Sequence, residues 1–131
     1  MDRPVLDYTV KRIDGMERAF GGVFVRVRAE LGVESFGIQV VDLPPNSGDV
    51  SPEHDHVHDG QEEVYVVLRG GGVFEIDGEP VGIEAGQMVR VDPPRRRKLR
   101  PGPEGVAVLA IGAPADRAYE RPEGFQLEAR S

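Results

Sequence analysis

The three histidines of this chain occupy alternating positions within one short stretch. They are His54, His56 and His58, and a pair of glutamates, Glu62 and Glu63, follows after a short loop. In an extended chain every second side chain points to the same face, so a strand here would direct the imidazoles towards one point. Imidazole nitrogens and carboxylate oxygens are ligands of borderline divalent metals. The spacing therefore predicts a metal site built from two neighbouring strands.

The residues after the loop have the pattern of a buried strand, reading EEVYVVL over residues 62–68. On such a strand Glu63, Tyr65 and Val67 share one face, which places the Glu63 carboxylate beside the histidines. We interpret Tyr65 as a residue of the pocket wall whose hydroxyl can reach a ligand. Gln61, in the loop, is a further candidate contact through its side-chain oxygen.

Short strands separated by turns surround this stretch. The chain has 17 glycines and 11 prolines in 131 residues, which favours tight turns over a helix bundle. Asp77-Gly78 is a strong signal for a two-residue hairpin, and segments 35–43, 87–91 and 106–111 have the composition of strands. The sequence therefore predicts an all-β sandwich or barrel. Before it, the apolar residues of segment 20–31 are compatible either with a strand or with one face of a helix. We favour a short helix that ends at Gly32.

Composition excludes several classes of function. The net charge is -7, and an acidic surface repels phosphate backbones, so no nucleic-acid partner is expected. The chain contains no cysteine, which excludes disulfides, thiolate metal sites and cysteine nucleophiles. No long apolar run is present, so no membrane span is expected and a cytoplasmic location is the default expectation.

The histidine stretch resembles the first motif of the cupin family. That motif is Gly, five residues, His-x-His, three or four residues, Glu, six residues and Gly, and here six residues separate Glu63 from Gly70. Two histidine pairs are compatible with it. His56 and His58 give the family spacing, whereas His54 and His56 need a loop two residues longer. We favour His54 and His56 as ligands and keep His58 as the alternative.

The resemblance covers residues 35–112, and the whole chain is similar to small single-domain cupins of unassigned function, of the conserved-barrel type. It implies a double-stranded β-helix, or jelly roll, with the site in the mouth of the barrel. An N-terminal arm with the short helix would occupy residues 1–34, and a surface tail would occupy 113–131. The resemblance also implies one divalent metal ion (Fe, Zn, Ni or Mn), a small-molecule ligand and a homodimer.

The second cupin motif is where this sequence departs from the family. Counting from Gly86, Arg97 falls where the family has its fourth metal ligand, a histidine, and a guanidinium has no lone pair to donate. Two outcomes remain open. A metal held by His54, His56 and Glu63 could act with Arg97, which would clamp an anionic substrate in dioxygenase-, isomerase- or decarboxylase-type chemistry. Alternatively, Arg97 pairs with Glu63 in a metal-free, non-catalytic binding pocket.

Overall fold

The structure is a computed structural model that describes residues 7–48 and 50–127, and most of its elements are strands. In chain order they are a 3-10 turn Ile13–Gly15, β1 Arg18–Ala19, β2 Phe24–Val25, α1 Val27–Leu31, β3 Gly37–Leu43, β4 Gln61–Ile76, β5 Glu79–Glu84, β6 Met88–Val91, β7 Arg97–Pro114 and a 3-10 turn Glu123–Phe125. The predicted all-β fold with a short N-terminal helix is confirmed. The helix ends at Gly32, whose φ of 80° is the left-handed conformation that glycine adopts readily.

Two long strands, β4 and β7, organise the sheet and pair antiparallel over their whole length. The first part of β4 also pairs with β6, and its second part pairs with β5. The register between β4 and β7 shifts between Val67 and Arg69 and again between Gly70 and Gly72. Such irregularities bend a strand, and here they let the sheet curl into the barrel.

The glycines at this bend are needed for close contact between strands. A Cβ atom at Gly70 would lie 2.1 Å from the Gly105 carbonyl oxygen, and one at Gly72 would lie 2.1 Å from the Arg100 carbonyl oxygen. Because no larger residue fits at such distances, the three-glycine stretch marks a close backbone approach. The predicted hairpin follows it, with positive φ at both Asp77 and Gly78, as a type I′ turn requires.

Apolar side chains form two clusters on opposite faces of β3. Leu43 belongs to the cluster inside the barrel, which includes Val67, Phe74 and Val108 among its fully buried members. Val40 faces the other way and packs with Met16, Val25 and Val27, because neighbouring strand residues alternate between faces. The N-terminal segment therefore covers the outer face of the sheet. Within the described residues, no helix has the length and apolar character needed to span a membrane.

Both terminal segments extend the barrel. β1 and β2 pair in order onto β3, so the sheet begins before residue 35. The described part of the predicted surface tail folds back against β2, where the rings of Phe24 and Phe125 lie 4.7 Å apart. Arg26 Nη2 donates a hydrogen bond to the Gly124 carbonyl at 3.2 Å. The sequence pattern did not indicate this return of the tail.

Candidate metal centre

Ligand atoms of His54, His56 and Glu63 lie within 4.8 Å of one another. Nε2 of His56 is 3.1 Å from Oε1 of Glu63, and Nε2 of His54 is 3.7 Å from the same oxygen. Glu63 is on β4 and is only 4% exposed, whereas His54 lies on the open side of the group. Two imidazoles and one carboxylate form the donor set of catalytic zinc sites and of facial-triad iron sites.

His58 does not join this group. The chain turns over residues 57–59, and the Gly60 amide donates to the His56 carbonyl at 2.8 Å. The alternation of side chains therefore stops at His56, and His58 is exposed at a separate pocket that Arg117 and Glu120 also line. The strand expected around the first histidines is reduced to an isolated bridge at His54.

Asp59 fixes the orientation of the His56 ring. Its two carboxylate oxygens lie 2.9 and 3.0 Å from Nδ1 of His56, so Nδ1 carries the proton. Nε2 then faces Glu63, and it is buried without a hydrogen-bond partner among the described residues. A carboxylate behind the ring of a histidine ligand is the usual arrangement at metal sites. Two electron-rich atoms 3.1 Å apart need a proton or a cation between them, so this pair fits a metal ion.

The electrostatics of the centre favour a charged Glu63 and a neutral Tyr65. Burial raises the pKa of Glu63, but the close side chains of His54 and His56, the charge of His56 and the hydrogen bond from Tyr65 outweigh it and hold this pKa far below its usual range. Burial and the neighbouring Glu63 carboxylate together raise the pKa of Tyr65 well above 10.0. The Tyr65 hydroxyl therefore stays protonated, and it donates a short hydrogen bond to Oε1 of Glu63.

His56 shows the opposite balance. Burial lowers the pKa of His56, but contacts with the carboxylates of Glu63 and Asp59 raise this pKa by more than burial lowers it. The net shift is therefore upward from 6.5. Without a metal, a proton therefore stabilises the His56 and Glu63 pair.

Arg97 lies at the first residue of β7 and its side chain is fully buried. Nη2 donates to the Asp92 carbonyl at 2.9 Å, and Nη1 is 3.7 Å from Oε1 of Glu63. Nε and Nη1 have no hydrogen-bond partner among the described residues. A buried guanidinium with two unused donors beside the metal ligands is suited to bind an anionic group.

Two neighbours of the centre were not identified from the sequence. Asp59 holds His56 and also accepts a hydrogen bond from Nε2 of Gln61 at 3.2 Å. Gly112 lies opposite Glu63 in the sheet, and a Cβ atom there would be 2.9 Å from Cγ of Glu63. Asp59 could have been found from its spacing three residues after His56. The role of Gly112 depends on strand register, which the sequence does not reveal.

The centre opens into a cavity of about 660 Å³ inside the barrel. Tyr65 and Gln61, whose contact with a ligand stays a prediction, line it, and so do Phe24 near the N-terminus and Tyr119 and Phe125 near the C-terminus. Described segments near both termini therefore contribute to the wall of the pocket.

The sequence of the barrel decides the family. Residues 39–112 match the family model described as the cupin domain. The chain belongs to the cupin family. This match covers β4, all three residues of the metal centre and most of β7, and it confirms the resemblance found in the first motif. No match was found among curated proteins.

Several solved structures share this fold at low sequence identity. A cupin protein from Bacteroides fragilis is 22% identical with a TM-score of 0.70, over 97% of this chain and 100% of its own. A protein from Photorhabdus luminescens is 13% identical with a TM-score of 0.62, over 86% of this chain and 91% of its own. A predicted oxalate decarboxylase from Thermotoga maritima is 24% identical with a TM-score of 0.60, over 80% of this chain and 98% of its own.

Proposed function

We propose that this cupin binds one divalent metal ion through His54, His56 and Glu63 and binds a small anionic organic molecule beside it. The observation that carries the proposal is the buried, unpartnered Nε2 of His56, which lies 3.1 Å from the Glu63 carboxylate. Imidazole and carboxylate ligands suit iron, zinc, nickel or manganese. When bound, such an ion would supply Lewis-acid chemistry by polarising an oxygen of the ligand.

Arg97 is the residue that we propose orients the anionic group. A buried charge is costly unless it is paired and hydrogen-bonded, and its Nε and Nη1 are free to donate. Each of these two groups can donate a hydrogen bond to an oxygen of an anionic molecule. An anion between Arg97 and the metal site would also relieve the repulsion between the guanidinium and a divalent ion. Tyr65 would keep Glu63 in place by its hydrogen bond to Oε1.

The class of reaction is a further part of the proposal. The Thermotoga maritima protein carries the description of a predicted oxalate decarboxylase, but a shared fold does not transfer a reaction. Dioxygenase-, isomerase- and decarboxylase-type chemistry are each compatible with a three-ligand centre, which leaves coordination positions open. The chain's own contribution would be to orient an anion at Arg97 and to exclude water with the apolar cavity wall.

A second candidate function is a non-catalytic binding pocket without metal. The observation that favours it is the fully buried ion pair between Arg97 Nη1 and Glu63 Oε1, at 3.7 Å. In that arrangement Arg97 takes the place of the cation, and binding of a small molecule would depend on Arg97 and not on the histidines.

Elemental analysis of protein purified without a histidine tag separates the two candidates. We expect about one equivalent of metal per chain in the wild type and in His58→Ala, the matched control that removes the histidine outside the group. The double variant His54→Ala/His56→Ala should retain none. A folded wild-type protein that takes up no metal on titration would support the metal-free pocket instead. A homodimer, a cytoplasmic location and the absence of nucleic-acid and membrane partners stay predictions.

A further inference from the structure

The cavity is much larger than its polar centre. Its volume is about 660 Å³. This lies within the range of about 300–1,000 Å³ that is typical of sites for organic ligands. A two-carbon acid bound at Arg97 would leave most of the space unfilled, so the size of the cavity is matched to a larger molecule.

The register of the sheet separates the polar end of the cavity from an apolar end. Glu63 lies opposite Gly112, and Gly112 lies opposite Gly37, so these three residues form one row across the sheet at the metal centre. Val41 is four residues further along β3, about 13 Å away at roughly 3.3 Å per residue. Phe24 is paired with Val41. The cavity therefore runs from the metal centre towards the aromatic residues near the two chain ends.

Aromatic rings line the far end. Phe24 packs against Phe125 with ring centroids 4.7 Å apart and against Phe20 at 5.5 Å. All three residues line the cavity. A ligand that reached this end would pack against these rings. Such packing favours an apolar body, because the rings provide no partner for a charged group.

The charged residues that line the cavity are all in or beside the metal centre. They are His54, His56, Asp59, Glu63 and Arg97, among the described residues. Within the part of the chain that the structure describes, no second cation lines the cavity at the aromatic end. A second anionic group on the ligand would therefore be buried there without a partner, at a high cost.

From the volume, the strand register and this charge distribution, we infer that the ligand is a monocarboxylate with a large apolar body, and not a short dicarboxylate. The carboxylate binds at Arg97, and the body extends along β3 to the rings of Phe24 and Phe125. This inference rests on the proposed function, because it uses the same anion site, and it adds the chemical class of the ligand.

Calorimetric titration of the purified protein with acetate, butanoate, hexanoate, octanoate and oxalate tests the inference. We expect affinity to rise by up to about fourfold for each added CH₂ group, the factor that corresponds to about 0.8 kcal/mol. The heat-capacity change of binding should become more negative along the series, as burial of apolar surface requires. Oxalate should bind no tighter than acetate. Octanamide, which has the same apolar body without the charge, should bind at least tenfold more weakly than octanoate.

Phe125→Ala tests where the apolar body lies. We expect it to weaken octanoate binding several-fold more than acetate binding, because acetate does not reach the rings. Phe36→Ala is the matched control, since Phe36 is exposed and does not line the cavity. It should leave both affinities unchanged. An unchanged affinity for octanoate in Phe125→Ala would overturn the inference.

The outcomes separate this inference from the proposed function. Binding of acetate and oxalate with no gain along the series would overturn the inference and leave the proposed anion site standing, with its metal content measured independently. Equal binding of octanamide and octanoate would also overturn it, because the carboxylate would then have no role. Absence of binding by every acid, in protein that contains metal, would overturn the inference together with the anion site.

Discussion

Arg97 lies directly opposite His54, and the two residues exchange both backbone hydrogen bonds. The His54 amide donates to the Arg97 carbonyl at 3.0 Å, and the Arg97 amide donates to the His54 carbonyl at 2.8 Å. The residue at the fourth ligand position of the cupin motif is thus fixed to the first ligand through the backbone. This position therefore carries an arginine in place of the metal ligand that the motif has there.

Asp59→Asn should weaken metal binding by about 10- to 100-fold, the usual effect of removing a partner behind a histidine ligand. The cause is loss of the carboxylate that holds Nδ1 of His56 at 2.9 Å. Asp55→Asn is the matched control, because Asp55 also accepts a loop hydrogen bond, from the Val57 amide, but none from a histidine ring. Competition with a chromogenic chelator measures both affinities. Equal losses in both variants would show that Asp59 acts only through the loop.

Gly112→Ala should lower metal affinity by about tenfold or more, because the added methyl group would lie 2.9 Å from Cγ of Glu63 and displace the carboxylate. Gly82→Ala on β5 is the control, since a methyl group there meets nothing within 4 Å. Metal titration of both variants measures the difference. If Gly112→Ala bound metal like the wild type, Glu63 would not need the space that Gly112 leaves.

Asp77 should contribute stability at neutral pH that disappears in acid. Hydrogen bonds from Arg95 Nη1 and from the Arg96 amide lower its pKa from 3.8. A carboxyl group with a lowered pKa in the folded state stabilises the fold above its unfolded pKa, and the contribution is lost as the pH falls through the folded pKa. Asp77→Asn keeps a residue that tolerates the positive φ but removes the charge.

Thermal unfolding of the wild type and of Asp77→Asn between pH 7 and pH 2 checks this expectation. The wild type should have the higher Tm at pH 7, and the difference should shrink below about pH 4. Asp116→Asn, at an exposed position, should match the wild type throughout. A difference in Tm for Asp77→Asn that stayed constant with pH would rule out the ionic origin.

Arg28→Ala should lower the free energy of unfolding by about 1–3 kcal/mol, the cost of leaving buried hydrogen-bonding groups without a partner. Arg28 is only 4% exposed, and it donates to the Val33 carbonyl at 2.7 Å and to Oε1 of Gln126 at 2.9 Å. It therefore joins α1 to the C-terminal segment. Arg12→Ala, which removes an exposed arginine, should change stability by less than about 0.5 kcal/mol. Urea unfolding measures both, and equal midpoints would contradict the anchoring role.

The features that could be predicted from the sequence are local ones. The alternation of histidines and the strand around Glu63 are visible within about fifteen residues, and so is the Asp77-Gly78 turn. The choice between histidine pairs was harder, because the turn over residues 57–59 decides it. The motif spacing alone fits His56 and His58 better, whereas the structure brings His54 and His56 to Glu63.

The features that could not be predicted depend on contacts between distant segments. Gly112 meets Glu63 only because of the register between β4 and β7. Phe125 reaches Phe24 because buried arginines bind the C-terminal segment. The polar composition of that segment indicated only an exposed tail, since its few apolar residues show no strand or helix period.

The long pairing of β4 with β7 has a consequence for synthesis of the chain. Val67 pairs with Val108, which is added 41 residues later. Since synthesis adds about 5–20 residues per second, roughly 2–8 s pass between synthesis of the apolar segment 64–68 and synthesis of this partner. During that time one edge of β4 has unpaired backbone groups and can pair with another chain. Fragments released before residue 106 would keep this edge permanently, so insoluble aggregates are their expected fate.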